Sequence, residues 1–208
     1  MRYAIRLAAV ALAVCCVFAV DAAPPAGHVH TVGPDPDPAA ATSLFQLDVH
    51  LDPAGGGQRA LAALAGRPSL VALFYSSCTS VCPMLILEMQ RLEAALDPAD
   101  RQRVAFVMVS LDAERDTPEA LAAFATEHHM DGSNWLVAHA TASDVRVLAA
   151  ALGVRYRQLP DRSFSHSSLI TLLDSHGVPR DRLPVPARDQ TAFLAALGEQ
   201  LGRLPRDH

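Results

Sequence analysis

Residues 69–83 read SLVALFYSSCTSVCP, and the fold turns on this stretch. Ser69–Tyr75 is an unbroken apolar run of strand length, the pattern of a strand covered on both faces. Met84–Leu96 then carries Leu85, Met89, Leu92 and Leu96 at helical spacing. Between them stands Pro83, which lacks an N–H and clashes in a helix interior, so it belongs in a first turn. The helix is therefore expected to begin near Thr79 or Ser80, with Cys78 and Cys82 at its N-terminus. There the free N–H groups and the positive end of the dipole favour thiolate over thiol.

Outward from this stretch, strands and helices alternate. Val104–Leu111 is a second strand, and Thr117 caps a helix with Pro118 at its first position and Glu119 in its first turn, running to about His128. Trp135–Ala138 is a short strand. Ser143–Leu152 is a helix stopped by Gly153, and Leu169–Leu173 is a strand ending in the turn Asp174-Ser175-His176-Gly177. Val178–Leu183 pairs back as a hairpin partner, and Asp189–Leu201 closes the domain as a helix. This order, without internal repeats, predicts one α/β domain over residues 43–202, followed by a tail at 203–208.

Of the 208 residues, half are hydrophobic and 19% are charged, enough apolar material for a core. The formal net charge is -5, and all 17 basic residues are arginines scattered singly. No basic stripe follows a phosphate backbone, which argues against a nucleic-acid partner. Residues 1–22 place Arg2 and Arg6 before an apolar run, Leu7–Val20, that ends in small residues, the pattern of a secretory signal. Its 14 residues span roughly 21 Å as a helix, short of a hydrocarbon core of about 30 Å. Cleavage after Ala22 is the first expectation, and retention as an N-terminal membrane anchor the second. Residues 23–42 hold five prolines and little that is large and apolar, the composition of a disordered linker. The protein is thus expected to be exported to the periplasm, soluble or tethered to the inner membrane.

Cys15 and Cys16 lie within the leader, leaving Cys78 and Cys82 as the cysteines of the domain. Four-residue spacing across a near-helical turn lets the pair close a disulfide or chelate one ion. An inert disulfide is the bland reading, but a bridge closing so small a loop contributes little stability. Two thiolates leave a metal short of ligands, and His166, in the polar segment Ser163–Ser168 that enters a later strand, is the best third donor. Periodicity does not single it out among the nine histidines.

Taken together, FYSSCTSVCPM, VSLDAERDTPEAL, GVRYRQLP and FSHSSLITLLDSHG resemble the SCO/SenC family of copper-binding proteins for cytochrome c oxidase assembly. The resemblance covers roughly Leu44–Leu201. It implies a thioredoxin-like fold, a central mixed sheet flanked by helices, with Cys78, Cys82 and His166 as ligands of one copper ion per chain. It further implies delivery of Cu(I) or Cu(II) to the dinuclear copper (CuA) site of the oxidase subunit, reduction of that subunit's cysteines, or both. A thioredoxin-like reductant or a second copper chaperone is then an expected partner. Ala113 departs from the Pro common in the family, and Ser165 from the acidic or amide residue frequent before the histidine.

The chemistry of the donors agrees, since thiolates suit Cu(I) and an added imidazole admits Cu(II); Zn(II) tolerates the same trio. The competing reading is an enzyme, a thiol-disulfide oxidoreductase or peroxidase-like protein using the redox-active pair Cys78 and Cys82 without a stable metal. Asp112, Glu114, Arg115 and Asp116 are read first as an ion-pair network opening a helix and second as groups that orient the site or contact the partner, and Met84 and Met89 as core residues before copper donors.

Overall fold

The computed structural model describes residues 42–202. The expected leader, the linker as far as residue 41 and the tail at 203–208 lie outside the described residues. Nine strands are present among the latter: β1 (His50–Pro53), β2 (Arg59–Ala60), β3 (Ser69–Phe74), β4 (Ala105–Ser110), β5 (Trp135–His139), β6 (Tyr156–Gln158), β7 (Phe164–His166), β8 (Leu169–Leu173) and β9 (Pro179–Pro184). The helices are α1 (Cys82–Ala94), α2 (Pro98–Arg103), α3 (Pro118–Glu127), α4 (Ala142–Leu152) and α5 (Thr191–Gln200). None of them is long and apolar enough to cross a membrane.

Seven strands form one sheet in the order β2-β1-β5-β4-β3-β8-β9. β3, β4 and β5 run parallel, while β8 and β9 continue antiparallel on one side and β1 on the other. This is the mixed thioredoxin-like sheet. β3 and β4 are buried at every residue because both their faces are covered. Leu70, Ala72, Phe74, Phe106 and Met108 pack with Leu85 and Met89 of α1, Leu121 of α3 and Phe193 of α5. The alternating residues Val71, Leu73, Val107 and Val109 pack with Val145, Leu148 and Leu152 of α4. Period-two alternation thus divides one apolar run between two cores.

The caps behave as the sequence predicts. Thr117 Oγ1 accepts the Ala120 N–H at 3.2 Å, and Gly153 ends α4 in the left-handed region at φ 75°. α1 differs: it starts at Cys82, not at Thr79 or Ser80, and its first ladder bond runs from Leu85 N–H to Val81 O at 3.0 Å. A start at Thr79 would set the Pro83 ring against the Thr79 carbonyl with no N–H to satisfy it, so the helix waits until Pro83 sits in its first turn. Cys78 therefore lies in the preceding loop. His166, expected in a loop, is the last residue of β7, which pairs antiparallel with β6 in a separate two-stranded ribbon, Tyr156 opposite His166. The β1–β2 hairpin and α2 are too short to show in the hydrophobic pattern.

The Asp174–Gly177 turn is held by the Gly177 N–H donating to Asp174 O at 3.0 Å, and Leu44 N–H donates to Gly177 O at 2.8 Å. Gly177 has φ 79°, and a Cβ there would lie 2.5 Å from the Phe45 ring. Gly177→Ala is expected to cost about 2–4 kcal/mol, a left-handed penalty plus overpacking, read as a fall in thermal midpoint. Gly153→Ala, whose nearest neighbour would be Arg182 Nε at 3.8 Å, should cost only the backbone penalty of about 1–2 kcal/mol. Equal losses at the two sites would show that Phe45 does not constrain the turn.

Candidate dithiol and imidazole site

The site lies beyond the C-terminal end of β3, where the chain turns from Tyr75 into α1. Cys78 N–H donates to Tyr75 O at 3.2 Å, closing the turn. The buried carboxylate of Asp116 reaches up from below: its Oδ2 accepts from Ser76 N–H at 2.9 Å and from Ser110 Oγ at 2.5 Å, and its Oδ1 accepts from Ser76 Oγ. The cysteine loop is thereby tied to the end of β4 and the start of α3. His139 Nδ1 lies 3.0 Å from Asp116 O.

Both thiols are buried and unbonded to each other. Cys78 Sγ receives the Cys82 N–H at 3.5 Å, one of the free donors at the start of α1, and lies 3.7 Å from Ser80 Oγ. Burial works against its ionisation, yet the Cys82 and Ser80 amides, with the Cys82 and Tyr75 side chains, outweigh burial and lower Cys78 to about 6. Cys82 shifts the other way. Burial pushes its thiol well up, and the neighbouring Cys78 and Asp116 charges add to the effect. The two sulfurs of one motif are thus driven apart.

His166 comes in from β7. Its Nε2 is 3.8 Å from Cys82 Sγ, and its Nδ1 is 3.2 Å from Ser167 O. A carbonyl only accepts, so Nδ1 carries the proton and Nε2 turns its lone pair toward Cys82. Burial lowers the His166 pKa, which keeps the ring neutral. Tyr75 stands between the segments, its hydroxyl donating to Phe164 O at 3.3 Å and its ring edge-on to His166 at 6.0 Å.

The structure thus brings the three expected residues together, with Cys82 in the middle. Among the described residues, no three His, Cys, Asp or Glu side chains are grouped closely enough to hold a metal ion as they stand. Two thiols and an imidazole are nonetheless the donor chemistry that suits a soft ion. Cys82 Sγ and His166 Nε2, 3.8 Å apart, are at a separation that one ion could bridge. Met84, expected in the core, is 43% exposed, whereas Met89 is fully buried. Met84 comes two residues after the inward-facing Cys82, which on a helix turns it to the opposite side. Asp116 is not an ordinary member of a surface ion-pair network: its carboxylate turns inward to Ser76 and Ser110, and nothing in the charge run marks it for burial.

A Cys-x-x-x-Cys turn at the end of a parallel strand, faced by an imidazole, defines a dithiol protein of the thioredoxin-like class. The chain belongs to the SCO1/SenC family, whose model matches residues 37–201. A protein of Stutzerimonas stutzeri described as copper-binding is 25% identical over 129 residues, covering 60% of this chain and 62% of that protein's own length. The chain is also similar to yeast Sco1 solved with copper bound, with TM-score 0.64 and 19% identity over 79% of this chain and 92% of that one. BsSco, a member of the Sco family of cytochrome c oxidase assembly proteins in which a disulfide switch was identified, matches with TM-score 0.62 and 19% identity over 73% and 90%. At such identities the structural matches speak for the fold.

In the reduced protein, alkylation of Cys78 should accelerate as pH rises through about 6, because the thiolate is the reacting form, and should level off by neutral pH. Cys82 should stay slow over the same range. Peptide masses after timed iodoacetamide quenches measure both, and faster labelling of Cys82 would refute the assignment.

Proposed function

We propose that the protein is a copper metallochaperone that carries one ion on Cys78, Cys82 and His166 and delivers it to the CuA site of cytochrome c oxidase. The observation that carries this reading is the 3.8 Å approach of His166 Nε2 to Cys82 Sγ across 84 positions of sequence, with the Nε2 lone pair facing the sulfur. Family membership and the copper-binding description of the Stutzerimonas relative support it. Copper is cargo here. Cys78 is already a thiolate near neutral pH and offers the first soft donor, Cys82 gives up its proton as the ion arrives, and neutral His166 adds a harder donor that admits Cu(II). A Cys78–Cys82 disulfide cannot bind, so reduction precedes loading. The apolar leader read in residues 1–22 makes the periplasm the proposed setting.

The opposed ionisation of the two thiols favours a second reading, reduction of cysteines on the oxidase subunit. The Cys78 thiolate attacks a disulfide on the target, giving a mixed disulfide and one target thiolate. Cys82, losing its proton, attacks the Cys78 sulfur and releases the second target thiol. Two electrons pass to the target, and a thioredoxin-like reductant restores the dithiol.

Anaerobic titration of the reduced protein should saturate at one Cu(I) per chain, and Cys78→Ser or Cys82→Ser should abolish tight binding. His166→Ala should keep Cu(I) yet weaken Cu(II) by roughly 100-fold or more, since even the outer partners of a ligand are worth about 10- to 100-fold. Equal retention of both ions in His166→Ala would remove His166 from the site. No copper binding alongside a readily cycled disulfide would leave the thiol oxidoreductase.

A further inference from the structure

The strand bearing His166 is not part of the central sheet. β6 and β7 pair only with each other, over three residues each. A ribbon of that size does not hold its shape alone, so the position of His166 depends on what grips the ribbon from outside. At the His166 end, Ser167 N–H donates to Arg155 O at 2.9 Å; toward the turn, Phe164, opposite Gln158, packs edge-on to Tyr75 with centroids 5.3 Å apart, and its carbonyl accepts the Tyr75 hydroxyl at 3.3 Å.

The turn itself, beyond Phe164, is gripped by the charged loop that follows β4. Arg115 Nε donates to Oδ2 of the buried Asp112, and the backbone N–H of Arg115 donates to Oδ1 of the same carboxylate at 3.2 Å. From that anchored position its Nη2 donates to the backbone carbonyl of Arg162 at 2.6 Å. Arg162 sits in the ribbon's turn at φ 66°, a left-handed conformation that costs energy for a side-chain-bearing residue and needs support from its surroundings. A separate pair joins Arg162 Nη2 to Glu114 Oε2 at 2.9 Å, with both side chains mostly exposed. The next residue in the same loop is Asp116, which holds the cysteine turn through Ser76. One loop, residues 112–116, therefore braces both halves of the site.

We propose that Arg115 is a positioning residue for His166: by bridging buried Asp112 to the Arg162 carbonyl it holds the β6–β7 ribbon at the distance from Cys82 at which the imidazole can share an ion with the thiolates. The proposal rests on the copper reading above. A guanidinium suits this task because its planar fork donates in two directions at once, which an ammonium on a flexible stem cannot reproduce. The exposed Glu114–Arg162 pair adds little.

The test uses Arg115→Lys, Arg115→Met and Glu114→Gln in the reduced full chain, with hydrogen exchange of the 156–166 amides read without copper and Cu(II) binding read by spectrum and affinity. Both Arg115 variants should exchange the ribbon amides about tenfold faster or more while β3 and β4 keep their protection. Both should bind Cu(II) about 10- to 100-fold more weakly, with a spectrum moved toward that of His166→Ala, and bind Cu(I) as the wild type does. Arg115→Lys retains a cation beside Asp112 and should keep the thermal midpoint. That separates positioning from the burial of an unpaired carboxylate, which Arg115→Met risks. Glu114→Gln should change Cu(II) affinity less than about twofold. Wild-type ribbon exchange in Arg115→Lys, an unshifted Cu(II) spectrum, or loss of Cu(I) along with Cu(II) would each overturn the proposal. If the wild type binds no copper, the copper reading falls by itself and the ribbon exchange decides whether Arg115 holds His166 in place.

Discussion

A carboxylate buried in a protein needs hydrogen bonds around it, and Asp116 satisfies that need with the loop that carries the thiols. It takes the Ser76 amide and hydroxyl from the loop after β3 and the Ser110 hydroxyl from the end of β4. Tyr75 and Cys78 pack into the core on either side, and these polar contacts hold the Ser76 stretch of the loop between them. The adjacent Thr117 caps α3, so a single stretch of chain ends one strand, starts one helix and anchors the cysteine turn.

The turn separates two sulfurs that a motif alone would treat as equals. Cys78 collects amide and hydroxyl donors in the loop, and the start of α1 supplies one of them, the Cys82 N–H. Cys82, inside the helix and against the core, is desolvated and feels the Asp116 charge. Such a pair presents a ready nucleophile and a reluctant partner, which suits stepwise thiol exchange and equally suits a soft ion that lands on one thiolate and displaces the proton of the other. Metal carriage and disulfide reduction draw on the same asymmetry.

Much of the scaffold was legible because it rests on local rules. SLVALFY and VAFVMVSL read as strands because both their faces had to be covered, and Thr117-Pro118 and Gly153 marked helix ends through capping and left-handed geometry. Where the reading of α1 missed, the cause was also local. Pro83 was rightly placed in a first turn, but its clash with the carbonyl four residues back delays the helix to Cys82. The β1–β2 hairpin and the β6–β7 ribbon escaped because strands of two to four residues leave no measurable period. The exposure of Met84 escaped because helical spacing names a face without saying which face the sheet will cover.

By itself, the sequence determined the α/β order, the helix boundaries set by Thr117, Pro118 and Gly153, and the nearness of Cys78 to Cys82, since each of these depends on residues a few positions apart. Only the tertiary structure decided that His166, 84 positions beyond Cys82, turns its Nε2 lone pair toward that sulfur. Only it decided, too, that Asp116 faces inward to Ser76 while Arg115 reaches outward to Arg162. The reason is that periodicity and capping act within a turn or two of chain. Which distant side chains meet is set by how the sheet and its loops pack, and a charge run carries no mark of which members the fold will bury.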